Sequence, residues 1–136
     1  LQKALDRDLI EWAQTRKELA TLLLNISFDR MDLLFSFTRT WAKEALRIPQ
    51  MLKELSGLLR DAVLVQIGCP APVLINQDMI PQLQQLSARF PRQALAKLNE
   101  AIHQTRLALA GNANVQLALE SLLLDVCEAL PVSAQR

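Results

Sequence analysis

The sequence has no tyrosine, one histidine, two cysteines and three glycines, and each scarcity closes off a kind of chemistry. Gly57, Gly68 and Gly111 stand alone, so no glycine cluster precedes a lysine to cradle phosphate. A single histidine and two distant cysteines, Cys69 and Cys127, offer no ligand pair at metal spacing. The cysteines are expected to be small buried apolar side chains in a reducing cytoplasm rather than a disulfide. An excess of one charge is also missing. Fifteen basic residues face 14 acidic ones, for a net charge of +1, which gives no strong pull toward DNA or an anionic membrane. The longest uncharged run, Ala62 to Gln77, is interrupted by Pro70 and Pro72, so no segment is long and apolar enough to cross a bilayer as a helix. No secretory-leader pattern is present. The chain opens at Leu1 inside a helical repeat and is expected to be a segment of a longer protein.

What the sequence has in quantity is leucine, at 28 of 136 positions, with few β-branched residues. That bias favours helix over strand. The length fits one domain, large enough to fold without a metal or a disulfide. The expected fold is all-α: a single bundle of about five to six helices with short connections.

Periodicity places those helices. Leu5, Leu9, Trp12, Leu19 and Leu23 mark one face of a first helix over residues 3–24, with Arg16 lying along the stripe and its head in solvent. Ser27 is the expected N-cap of a second helix whose main face is Phe28, Met31, Leu34, Phe35, Ala42 and Ala45. Leu33, Phe37 and Trp41 form a second stripe on it, and Pro49 ends it or opens the next. A third helix over 50–67 buries Met51, Leu52, Leu55, Leu58, Leu59 and Ala62, and Gly68 closes it in a left-handed conformation. The stretch "CPAPVLIN" resists helix because of its prolines. Asn76 or Asp78 then caps a short helix anchored by Met79, Leu83, Leu86 and Phe90. Pro91 opens a fifth, with Ala94, Leu95, Leu98, Ala101, Ile102, Thr105 and Leu109 inward. Gly111 ends it, and Asn112 or Asn114 caps the sixth. Residues 1–130 make the bundle and 131–136 a frayed tail.

The sixth helix is apolar on two sides. Val115, Leu119, Leu122, Leu123, Val126 and Leu130 share one face, while Leu117 and Leu124 lie nearly opposite, among Glu120, Ser121, Asp125 and Glu128. Such a helix is central in its bundle or holds a partner. Leu117 and Leu124 are therefore the first candidates for partner anchors. Leu33, Phe37 and Trp41 come second, with packing in a central helix as their other meaning. Arg60 and Asp61 are either a rim ion pair or a polar contact between helices or to a neighbouring chain. Arg39, Lys43 and Arg47, at i, i+4 and i+8, form a basic stripe, either solvated or touching phosphate. His103 falls on a polar face with no nucleophile at a supporting spacing. No constellation supports catalysis, and no cofactor or metal is expected.

The segments "LLRDAVLVQIG" (58–68), "INQDMIPQLQQLSARF" (75–90), "ALAKLNEAIHQTRLAL" (94–109) and "GNANVQLALESLLLDV" (111–126) occur in an order that resembles the C-terminal domain of the delta-prime subunit of the bacterial DNA polymerase III clamp loader. The features shared are Leu-Leu-Arg-Asp in the third helix, the Asn-Asp pair before the short helix, the arginine ahead of the next turn, and the Asn-x-Asn turn leading into Leu-x-Leu-Glu-x-Leu-Leu-Leu. They cover Leu52 to Val126. The related collar domain of gamma/tau is similar in kind, and a helical adaptor of another pathway shares the packing. One departure is Phe90 ahead of Pro91, where the family often has a small capping residue; it predicts a local shift where the fifth helix begins. The resemblance implies an assembly module, not catalytic by itself, belonging to a subunit of the polymerase holoenzyme. Its AAA+-like N-terminal domains would lie upstream of Leu1. Such helical domains pack side by side in a pentameric collar while the sliding clamp is loaded on primed DNA. The implied partners are the C-terminal domains of gamma/tau and delta. DNA is met only through the complex, no membrane is involved, and the location is cytoplasmic.

Overall fold

Every stretch with a leucine period near 3.6 is an α-helix in the computed structural model, which describes residues 2–135, and no strand occurs among them. The α-helices are α1 (Gln2–Asn25), α2 (Met31–Ala42), α3 (Ile48–Gln66), α4 (Ile80–Arg89), α5 (Arg92–Ala110), α6 (Val115–Ala129) and a single turn, α7 (Val132–Gln135). Helix α3 is the hub, touching α1, α4 and α5, while α6 packs on α5 and α2. The core is continuous from Leu19 and Leu23 on α1, through Met51, Leu55 and Leu58 on α3, to Leu119 and Val126 on α6. Burying each such leucine contributes about 2 kcal/mol. Thr105, the one hydroxyl on the inward face of α5, donates to the carbonyl of Ala101 at 2.8 Å, which lets it sit among apolar neighbours.

The turns follow backbone chemistry. Gly68, at φ +80°, ends α3. The amide of Cys69 returns to the Leu64 carbonyl and that of Gly68 to Val65, a Schellman pair. The break after α5 has the same design with one substitution. Asn112, not Gly111, takes the left-handed conformation, at φ 64°. Ala113 returns to the Ala108 carbonyl and Asn112 to that of Leu109. Asparagine tolerates this region. Asn114 then caps α6, its side chain accepting from the Leu117 amide at 3.0 Å.

Several expectations are corrected. Leu5 and Leu9 are exposed, because the opening turns of α1 run past the bundle. Phe28, Phe35 and Ala45 face outward too, and the inward residues of α2 are Leu34, Thr38 and Trp41. Ser27 caps nothing with its side chain and precedes a 3₁₀ turn, Phe28–Arg30. Helix α2 stops at Ala42, short of the expected length. Pro49 sits in the first turn of α3, where its missing N–H costs nothing, and a 3₁₀ turn, Ala45–Arg47, redirects the chain before it. "CPAPVLIN" holds one 3₁₀ turn, Ala71–Val73. The expected frayed tail instead docks as α7, with the Gln135 side chain donating to the carbonyls of Glu128 and Leu130.

Candidate functional site

Helix α6 presents two faces of opposite role. Leu119, Leu122, Leu123 and Val126 are at most 2% exposed, whereas Leu117 is 64% and Leu124 36% exposed. The latter two are seven residues apart, two turns along one line, about 10 Å. Glu120, Asp125 and Glu128 surround them, and α6 carries no lysine or arginine. The outward face is thus a leucine pair in an acidic setting. Beside it, α5 and α6 enclose a groove of about 410 Å³ lined by Ala94, Lys97, Ala101, Asp125 and Glu128. Partial burial, with Glu128 second, holds the Asp125 carboxyl above its ordinary range.

The other leading candidates separate from one another. Trp41 is buried, stacked on Trp12 with ring centroids 6.5 Å apart and tilted against Phe37 at 6.1 Å. Its ring serves the core, the other meaning the sequence left open for this stripe. Leu33 and Phe37 are half-buried and line a groove of about 590 Å³ between α1 and α2, which the edge of Trp41 also reaches. The basic stripe does not form. Arg47 lies beyond the end of α2, its guanidinium 4.8 Å over Trp12 and 5.4 Å over Trp41, and it pairs with Glu44 at 2.9 Å. Arg39 bonds the Phe35 carbonyl, and Lys43 is exposed at the helix end. A continuous stripe required one helix through residue 47, and the 3₁₀ turn breaks it. His103 is exposed on α5.

Asp61 is the candidate whose surroundings differ most from a rim ion pair. Its side chain is fully buried and accepts from the amides of Ile75 (3.2 Å) and Asn76 (2.7 Å) and from the Asn76 side chain (2.8 Å). Arg60, half exposed, reaches it from outside at 3.0 Å. The carboxylate therefore fastens the loop after α3 to α3 itself. The same knot contains Arg16, for which the sequence predicted a solvated head. Its guanidinium instead donates to Asn76 at 2.7 Å and grips both oxygens of Asp78 at 3.0 and 3.1 Å. That pairing holds the Asp78 carboxyl below its usual range. Asn76, one of the two residues expected to cap the short helix, spends its side chain in this knot. The sequence assigned no contact to Arg89. It donates to the carbonyls of Leu23 and Ile26 and so closes the C-terminus of α1 against α4. A charged residue inside an apolar stripe, as Arg16 is, was the available signal.

Cys127 is buried and Cys69 half-buried, both as free thiols, and burial pushes the Cys127 thiol up. No cluster of three potential metal ligands occurs among the described residues, and no helix there is long and apolar enough to cross a membrane.

Fold and surface together define a helical-bundle domain with leucines turned outward on its sixth helix. A family model described as DNA polymerase III, delta subunit, C terminal, matches residues 11–128. The chain belongs to that family and is a clamp-loader C-terminal domain. No curated protein and no solved structure matches it.

Proposed function

We propose that this domain is an assembly module of the clamp loader, the collar domain of a delta-prime subunit, which packs against the C-terminal domains of gamma/tau and delta. One observation carries the contact: Leu117 and Leu124 stand outward on α6, inside the family-matched region, with acidic residues around them. A collar contact of standard size buries about 800 Å² per partner, and a few anchors supply most of its affinity. Leu33 and Phe37, at the α1–α2 groove, are the second anchor set. The role is holding, not catalysis. The domain meets DNA through the complex, needs no cofactor and works in the cytoplasm with the replication machinery. Its specificity follows from α6. A partner that places lysine or arginine around an apolar pocket is favoured, and a second copy of the same acidic face is not.

The experiment is native mass spectrometry of this chain mixed with the C-terminal domains of gamma/tau and delta from the same source. A defined heteromer is expected. Leu124→Glu is expected to abolish it while shifting the unfolding free energy by less than about 1 kcal/mol, since the side chain is partly solvated already. A variant that melts like a core mutant would remove Leu124 from the contact. A chain that takes the gamma/tau place, assembling with delta and delta-prime domains instead, would make it a gamma/tau collar.

A further inference from the structure

The opening turns of α1 form a second surface, independent of α6. Every residue from Gln2 to Glu11 is exposed, whereas Thr15, Leu19, Ala20, Leu22 and Leu23 farther along are buried. Leu5 is 51% and Leu9 70% exposed. Four residues apart, they adjoin on one face and continue the line of the half-buried Trp12. At the helical angle per residue, Asp6 and Asp8 fall about 80° to either side of that line, while Lys3, Arg7 and Glu11 fall on the far side. Both margins of the leucine seam are therefore acidic. Among the described residues neither aspartate is in an ion pair; Asp6 accepts a hydrogen bond from the Gln2 side-chain amide at 3.1 Å. The family match begins at Glu11, so the seam lies outside it.

Charge decides what can cover such a seam. Two copies paired along it bring no positive side chain to either margin, and an antiparallel pair sets aspartate against aspartate. A helix with lysine or arginine on both margins meets two carboxylates that hold no ion pair among the described residues, and its leucines meet Leu5 and Leu9. We propose that the first turns of α1 dock an amphipathic protein helix whose apolar seam is flanked by basic residues.

The probe is a fluorescein-labelled synthetic helix with a leucine seam and lysine margins, titrated with this chain and followed by anisotropy. A matched peptide with glutamate margins is the comparison. The lysine peptide is expected to bind at least about tenfold more tightly, with the advantage shrinking as salt rises. Leu9→Glu is expected to weaken it about tenfold with the unfolding midpoint unchanged, because Leu9 is already largely exposed. Asp6→Lys combined with Asp8→Lys should invert the preference between the peptides. Equal binding of the two peptides, no binding of either, or an unaffected Leu9→Glu variant would overturn the proposal, as would a dimer in sedimentation that Leu9→Glu dissolves. The double variant Leu117→Glu with Leu124→Glu separates this surface from the collar contact. It should leave peptide affinity unchanged, and loss of peptide binding there would mean that the peptide reports the α6 face instead.

Discussion

The two halves of α1 share one helix and one leucine period, yet they meet different surroundings. Leu19 and Leu23 are at most 1% exposed, while Leu5 and Leu9 are more than half exposed. Periodicity fixes which way a side chain points. Only the rest of the chain decides whether anything lies in that direction. For the second half, α3 and α4 do; the turns ahead of Trp12 are exposed throughout. Arg16 stands at the boundary, holding the packed half to the loop through Asn76 and Asp78.

The sharpest way to break this comparison is truncation on both sides of the boundary. Leu23→Ala leaves a cavity in the core and should cost about 3 kcal/mol, whereas Leu9→Ala should change stability by less than about 0.5 kcal/mol, both read from urea unfolding. Comparable losses would mean that the first turns are covered after all. Next in size is the knot beside Arg16. Asp61→Ala strips the acceptor from four donors, Arg60 among them, and should cost about 3 kcal/mol or slightly less, while Arg60→Ala, on a half-exposed partner, should cost under about 1 kcal/mol. Equal effects would move the weight from loop anchoring to the ion pair. The smallest effect concerns pH. Asp78 titrates below its ordinary value because Arg16 bonds it, so its contribution is present above the unfolded carboxylate range and disappears as pH falls through the lower folded value. Asp78→Asn should therefore flatten the acid limb of the stability curve; an unchanged limb would mean that the Arg16 grip is absent in solution.

Much of the bundle was legible because local rules and packing agree. The inward faces of α3 and α6, the left-handed Gly68 and the Asn114 cap each follow from residues within a few positions. What was illegible depends on distant partners. Asp61 resembles any polar residue at a helix rim until the loop carries the Ile75 and Asn76 amides onto it, fourteen and fifteen positions away. Arg47 reads as the third member of a basic stripe only while α2 is assumed to continue, and no glycine or proline near Lys43 announces its end. The outward Leu117 and Leu124 were placed correctly by the helical wheel, since Asn114 fixes the start of α6 and hence its phase.

The fastening of α1 has a mechanical consequence. About 15 Å of α1 lies exposed ahead of Trp12, and the helix is held near its midpoint by Arg16 and at its end by Arg89. A sideways load on these turns would be resisted first at Arg16 and then at Arg89, on the last turn of α4.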